Sequence, residues 1–202
     1  MKEGAVASDA KQNLLYAGTR LFAEHGFAGA SVRDICAEAG VGRNMIHHYF
    51  GNKDGLLQAI LDAFSTSSFA PAIRLLAKPA GSVEEFRLKL ELFIAEVFEV
   101  LISNAQIFRI VSREAGSLLP LTELRDSLVT YLCAAKDAGF IAADLDETMA
   151  PGFILDRLGG QVLYALRLGD EQKANVILDP AYRAEWLTAN SRLLLFGLAA
   201  KD

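Results

Sequence analysis

Proline and cysteine are both scarce in this 202-residue chain, with five of the first and two of the second. So few prolines, among 52% hydrophobic and 22% charged residues, exclude a disordered chain and leave room for long helices around a buried core. Cys36 and Cys133 fall in separate helical patterns without a CxxC spacing, which fits reduced, buried thiols rather than a disulfide framework or a zinc site. A basic excess is also missing: 20 Lys and Arg stand against 25 Asp and Glu, a net charge of −5, which excludes a uniformly basic nucleic-acid coat. The longest apolar stretch, 193–200, is far short of the roughly 18 residues a membrane crossing needs. No apolar signal core follows the opening MKEGAVASDAKQ, so the expectation is a cytoplasmic protein without a membrane partner. No run alternates apolar and polar residues long enough for a strand, and no internal repeat is visible.

What is present is helical periodicity from end to end, giving an all-α fold of about nine helices. Ser8 or Asp9 caps a first helix whose apolar face is Leu14, Ala17, Leu21 and Phe22; Gly26 ends it and Phe27 packs back on the last turn. Ser31, with Asp34 three residues on, caps a short second helix that turns Val32, Ile35 and Ala39 inward. Gly40 and Gly42 make a tight turn into a third short helix, 43–49, which buries Ile46 and Phe50, and Asn52 caps the fourth. The 65–68 stretch and Pro71 bend or fray that fourth helix without ending the domain. Ser82 and Glu85 form a capping box before a long helix striped with Phe86, Leu90, Phe93, Val97 and Leu101. A shorter helix carries Ile107, Phe108 and Val111; a further one, from Leu121 to Ala135, closes at Gly139. After the loop 141–146 comes a helix with Ile154, Leu158, Val162 and Leu166, and Asp179-Pro180 signals the start of the last.

Charge divides the chain unevenly. Residues 1–54 hold six basic residues (Lys2, Lys11, Arg20, Arg33, Arg43, Lys53), six acidic ones and all three histidines, so the whole of the −5 belongs to 55–202. The neutral N-terminal quarter thus has a different task from the acidic remainder. Two short helices joined by a glycine turn behind a third helix form the arrangement that sets one helix into a DNA major groove.

The run SVRDICAEAGVGRNMIHHYFGNKDGLLQAI, with the preceding LFAEHGFAG, resembles the DNA-binding domain of the TetR family of bacterial transcriptional regulators. The resemblance covers residues 8 to about 60; the remainder is similar only in helix number and order. It implies a helix-turn-helix domain over 1–54 and a ligand-binding and dimerisation domain over 55–202. Gly42 stands where the family often has a capping Ser, and His47 where it often has a Tyr touching phosphate. By position, Arg43, Asn44 and His48 are the candidate base readers, Arg suiting guanine and Asn adenine. Ser31, His47, Tyr49 and Lys53 are candidate phosphate contacts, with Val32 and Met45 in the same interface. Because a neutral domain neutralises few phosphates, two subunits on a palindromic operator of double-stranded DNA are expected.

In the acidic remainder, the last two helices read as apolar on two faces: Phe153, Ile154, Leu155, Leu158 and Val162 on one side, and Tyr182, Trp186, Leu187, Leu193, Leu194 and Phe196 on the other. Such helices bury one face in a partner, with Gly159-Gly160 permitting close approach, so a homodimer through them is expected; a fully buried helix in a monomer is the other reading. For the small-molecule effector implied by the resemblance, Phe86, Phe93, Phe98, Phe108 and Tyr131 are candidate apolar lining, with Arg109, Gln106, Ser112 or Gln161 as polar anchors. The same aromatic stripe also reads as plain core.

An enzyme is not expected. His47 and His48 diverge by about 100° on a helix, and no HExxH, GxSxG or Walker-type lysine occurs, so neither a catalytic constellation, a metal nor a cofactor is called for. Asp144, Asp146 and Glu147 lack EF-hand spacing and read as turn and helix-start chemistry. The remaining alternative to a ligand-responsive repressor is a helical ligand-binding or scaffold protein that no longer uses its DNA-binding fold.

Overall fold

The computed structural model describes residues 3–114, 121–167 and 179–198, and the elements among them are ten α-helices. They are α1 (Glu3–Gly29), α2 (Val32–Glu38), α3 (Asn44–Phe50), α4 (Lys53–Ser68), α5 (Ala70–Leu76), α6 (Val83–Ser103), α7 (Ala105–Glu114), α8 (Thr122–Asp137), α9 (Ala150–Arg167) and α10 (Pro180–Leu198). The helix in excess of the expected nine is α5. The bend expected at 65–68 and Pro71 is a break, because Pro71 sits in the first turn of a new helix, where its missing N–H costs no hydrogen bond.

The chain forms two compact units, the first comprising Met1–Ser67 with Gln106–Leu119 and the second Ser68–Ala105 with Pro120–Asp202. The break before α5 therefore coincides with a unit boundary, and the 54/55 step in charge falls inside the first unit.

The first unit is organised around Leu14, Ala17, Leu21 and Phe22 of α1, Ile35 and Cys36 of α2, Ile46 of α3, Leu56 and Ile60 of α4, and Ile110 of α7, all buried. Val32, expected inward, is 36% exposed, whereas Ala30 just before the helix is in the core at 2%.

In the second unit α6 is central. Its Phe86, Leu90, Phe93, Ile94, Val97, Phe98 and Leu101 are all buried, and it packs on α5, α9 and α10. Each fully buried aromatic or aliphatic side chain contributes about 1.5–3 kcal/mol, so this one helix supplies much of the unit's stability. Phe98 stacks on Trp186 at 4.6 Å, and Arg157 bridges α9 and α10 by lying 5.3 Å over that indole while its Nε donates to Asn190 Oδ1 at 2.8 Å. The α8 helix closes as expected at Gly139, whose φ is +72°. Phe140 N donates to Ala135 O and Gly139 N to Lys136 O, the paired bonds that satisfy the helix's last carbonyls.

Of the carboxylates between α8 and α9, Asp146 serves the turn and helix start as expected, and Glu147 instead pairs with Lys136. Asp146 Oδ1 accepts from Thr148 N at 2.8 Å, from Thr148 Oγ1 at 2.6 Å and from Met149 N at 3.1 Å, and these bonds hold its pKa below the ordinary value. Glu147 is lowered likewise, chiefly by Lys136, whose Nζ also donates to Leu145 O at 2.8 Å. A depressed carboxylate stabilises the fold fully above its unfolded pKa, near 4, and loses that contribution as pH falls through the folded value. Asp146→Asn is therefore expected to lower the thermal midpoint at neutral pH, with the two curves converging in acid below the carboxylate range; a difference that persisted there would overturn this account of the loop.

Candidate nucleic-acid interface

The candidate interface is built on three helices whose ends are individually fastened. In α1 the helical path is interrupted at Gly26 (φ 73°, ψ 168°), and the ring of Phe27 then returns to within 5.4 Å of Phe22, as the sequence implied. The corner that follows is pinned from the start of α4: Lys53 Nζ donates to Phe27 O at 2.7 Å and Ala30 O at 3.1 Å, and lies 4.3 Å over the Phe27 ring. Two of the three ammonium protons are thereby committed, which leaves one for a phosphate. Nothing in the sequence distinguishes this lysine from a solvated one, because its partners are carbonyls 23 and 26 residues away.

Ser31 caps α2 by accepting from Asp34 N at 3.1 Å, and its hydroxyl proton is directed to Asp34 Oδ2 at 2.6 Å. Its single O–H would have to turn away from Asp34 to meet a phosphate. At the other end of α2, Gly40 (φ +67°) turns the chain, Val41 N donates to Cys36 O and Gly40 N to Ala37 O. Beneath this turn the Cys36 thiol donates to Arg43 O at 3.8 Å, and burial pushes its pKa up, so it serves as a small apolar core group with one weak donor.

The third helix, α3, has no side-chain cap, consistent with Gly42 before it; Met45 N bonds Gly42 O instead. It buries Ile46, rests Met45, Tyr49 and Phe50 half-buried against the core, and exposes Arg43, Asn44, His47 and His48. That spacing, two adjacent residues repeated one turn on, places all four on one face. The helix ends at Gly51 (φ +77°), and Asn52 Oδ1 caps α4 by accepting from Gly55 N at 2.7 Å. Gly55 has no substitute here, because a Cβ at that position would collide with the carbonyl of Phe50 at the end of α3.

The electrostatics of α1 and α2 are partly spent internally. Arg20 ties α1 to α2 through Glu38 and also pairs with Glu24 at 2.9 Å, which raises its own pKa and lowers that of Glu38. His25 lies exposed beside Glu24.

The candidate effector residues are divided. Phe86, Phe93, Tyr131 and Gln161 belong to the second unit, whereas Phe108 and Arg109 lie on α7 in the first, next to Ile107 and Ile110 of its core. Phe86 stacks on Tyr131 at 5.7 Å and lies 6.4 Å from Phe140. The Tyr131 hydroxyl is buried without a hydrogen-bond partner, and burial pushes its pKa up to about 12. Gln161 is half-buried on α9 and Gln106 exposed on α7; the side chain of Ser112 lies outside the described ones. Among the described residues no three His, Cys, Asp or Glu side chains are grouped to hold a metal, and no helix is long and apolar enough to cross a membrane.

Residues 14–60, the stretch that forms this trihelical unit and enters α4, match the model of the family described as bacterial regulatory proteins, tetR family. The HTH-type transcriptional repressor KstR2 of Rhodococcus jostii is 27% identical over 159 residues, covering 74% of this chain and 76% of that protein. The HTH-type transcriptional repressor Rv3405c of Mycobacterium tuberculosis is 45% identical over 53 residues, 26% of this chain and 28% of that protein. Among solved structures, the transcriptional regulator FadR from Bacillus subtilis, in complex with stearoyl-CoA, has a TM-score of 0.70 at 20% identity, covering 93% of this chain and 98% of that one. At that identity the likeness shows a shared fold.

Because Lys53 is wired to two backbone carbonyls, Lys53→Met is expected to lower stability in the absence of any DNA, by about 1–3 kcal/mol for hydrogen bonds from a charged group. Urea unfolding of the purified variant checks this; an unchanged midpoint would return Lys53 to the status of a solvated lysine.

Proposed function

We propose, for a chain that belongs to the TetR family of bacterial transcriptional regulators, that it represses transcription by binding a palindromic operator as a homodimer and leaves it when a small, mostly apolar effector binds. The observation that carries the reading is the exposed polar face of α3, Arg43, Asn44, His47 and His48, held on a core that fixes both ends of the helix. A scaffold has no use for four such side chains on one short helix. In this reading Arg43 pairs with guanine, Asn44 with adenine, and His48 reads a third base edge. Tyr49, His47, Ser31 and the remaining proton of Lys53 meet phosphates, with Val32 and Met45 bordering the contact. The 1–54 segment supplies this interface, and 55–202 supplies sensing and assembly.

The dimer reading draws on α9 and α10. On α9 the buried stripe is Ile154, Leu158 and Val162, while Phe153 is 68% exposed and Tyr164 60% exposed on the opposite side. Phe153 thus leaves the face to which its sequence neighbours assigned it and forms a second stripe with Tyr164. Between them Gly160 has open space around it, room for a partner helix. On α10 Trp186 is buried and Leu193 is 73% exposed; the side chains of Leu194 and Phe196 lie outside the described ones. An exposed apolar stripe on α9 beside the exposed Leu193 of α10 suits a two-fold, self-complementary contact. Two half-sites then lie about 34–36 Å apart, and an effector that alters this spacing weakens binding.

For the effector, the second unit offers Phe86 and Phe93 as apolar contacts, Gln161 as a polar one, and the unpartnered Tyr131 hydroxyl. A buried hydroxyl without a partner carries a desolvation cost that an acceptor on a ligand would remove. The stearoyl-CoA held by the Bacillus subtilis protein supports a mostly apolar effector class.

Selection from a random duplex pool by the purified protein is expected to yield a palindrome, and Arg43→Ala to weaken its binding by about 1–3 kcal/mol with relaxed preference at one base pair per half-site. Failure to enrich any sequence, with protein shown to be folded, would remove the regulator reading. Phe153→Glu is expected to convert the dimer to a folded monomer by light scattering; a variant that stays dimeric would place the interface elsewhere.

A further inference from the structure

The cations of the first unit are unequally committed. Arg20 is held by Glu38 and Glu24, and Lys53 by two carbonyls and a ring. On α3 itself Arg43 is the sole lysine or arginine bordering the helix, and Arg33 is exposed on α2, so a bound groove meets few positive charges. Lys11, on α1, is exposed, and no ion pair joins it to a carboxylate among the described residues. Its Nζ lies 6.0 Å from the ring of Phe50, the last residue of α3. From there the rings run back along the helix: Phe50 to Tyr49 at 6.2 Å, Tyr49 edge-on to His48 at 4.8 Å. Lys11 therefore stands beside the C-terminal end of α3, although it is more than 30 residues distant in sequence and precedes the stretch 14–60 that matches the family.

We propose that Lys11 is a phosphate contact of this protein, gripping the DNA backbone beside the C-terminal end of α3. The inference rests on the DNA-binding reading above. At 6.0 Å the ring interaction is at the outer limit for a cation over an aromatic face, so it leaves the ammonium hydrated and available to an anion. A lysine acts there as a point charge, adding affinity and salt dependence without reading sequence. Each such contact releases condensed counterions and contributes about −0.9 to the slope of log K against log salt.

The test uses the full chain and a duplex selected by it from a random pool, with binding measured across a salt series for the unaltered protein, Lys11→Met, Lys11→Arg and Arg43→Ala. Lys11→Met keeps an apolar stem against Phe50 and removes only the charge. It is expected to weaken binding at low salt and to reduce the slope by about one unit per subunit, with unchanged base preference and an unchanged thermal midpoint, and Lys11→Arg should restore the slope. If Lys11→Met leaves the slope intact while Arg43→Ala weakens binding, the proposal is wrong and the DNA-binding reading stands. A weaker affinity at constant slope, an altered base preference or a lowered thermal midpoint also overturns it, because Lys11 would then act through Phe50 or the bases. Selection of no duplex at all overturns both.

Discussion

A helix of seven residues cannot hold itself together in water, since forming its first turn costs more than the few bonds that follow return. The α3 helix exists because Ile46 is sunk into the core of the first unit against α1 and α2, with Met45, Tyr49 and Phe50 packed half-buried on that core. Everything the exposed face can do follows from that anchor. Arg43, Asn44, His47 and His48 are aimed together because a single side chain fixes the rotation of the helix about its own axis. The flanking glycines then fix where it begins and ends: Gly40 turns the chain before it, and Gly55 lets the start of α4 lie directly against the carbonyl of Phe50.

The distribution of charge obeys the same economy. A neutral unit carrying a DNA-facing helix has to divide its cations between holding the fold and holding phosphates. Arg20 and Lys53 are engaged in the first, one through carboxylates and the other through carbonyls, whereas Lys11, Arg33 and Arg43 are exposed. Under the proposed function, affinity for the backbone is modest per subunit, and two subunits acting together gain more than either alone.

How much was legible in the sequence depended on the range of the interactions. Caps were readable because they are local: Ser31 with Asp34, Ser82 with Glu85, Asn52 before α4 and Asp179-Pro180 before α10 all close within four residues. Even there a detail shifted, since Glu85 returns to Gly81 N rather than to the Ser82 backbone. The break before α5 is not legible, because Pro71 reads as a helix interrupter in the sequence and starts a helix in the structure. Val32 and Phe153 read as inward and are exposed, because periodicity fixes angles around one helix and says nothing of where the neighbouring core stops. The exposed α3 face was legible as a motif. The engagement of Lys53 with Phe27 and Ala30 was not, for no spacing encodes a bond to a distant carbonyl.

The presence of Ile107 and Ile110 of α7 in the first core has a consequence for how such a protein can be recombined. The unit that carries α3 is not a contiguous stretch of gene: Met1–Ser67 is completed by Gln106–Leu119, with more than thirty residues of the other unit threaded between them. A chimera that joined the first 67 residues to a foreign sensor would arrive with an open apolar notch where those isoleucines belong. The interchangeable cassette is two segments long, and a graft between relatives would have to respect all three of its junctions, 67/68, 105/106 and 119/120.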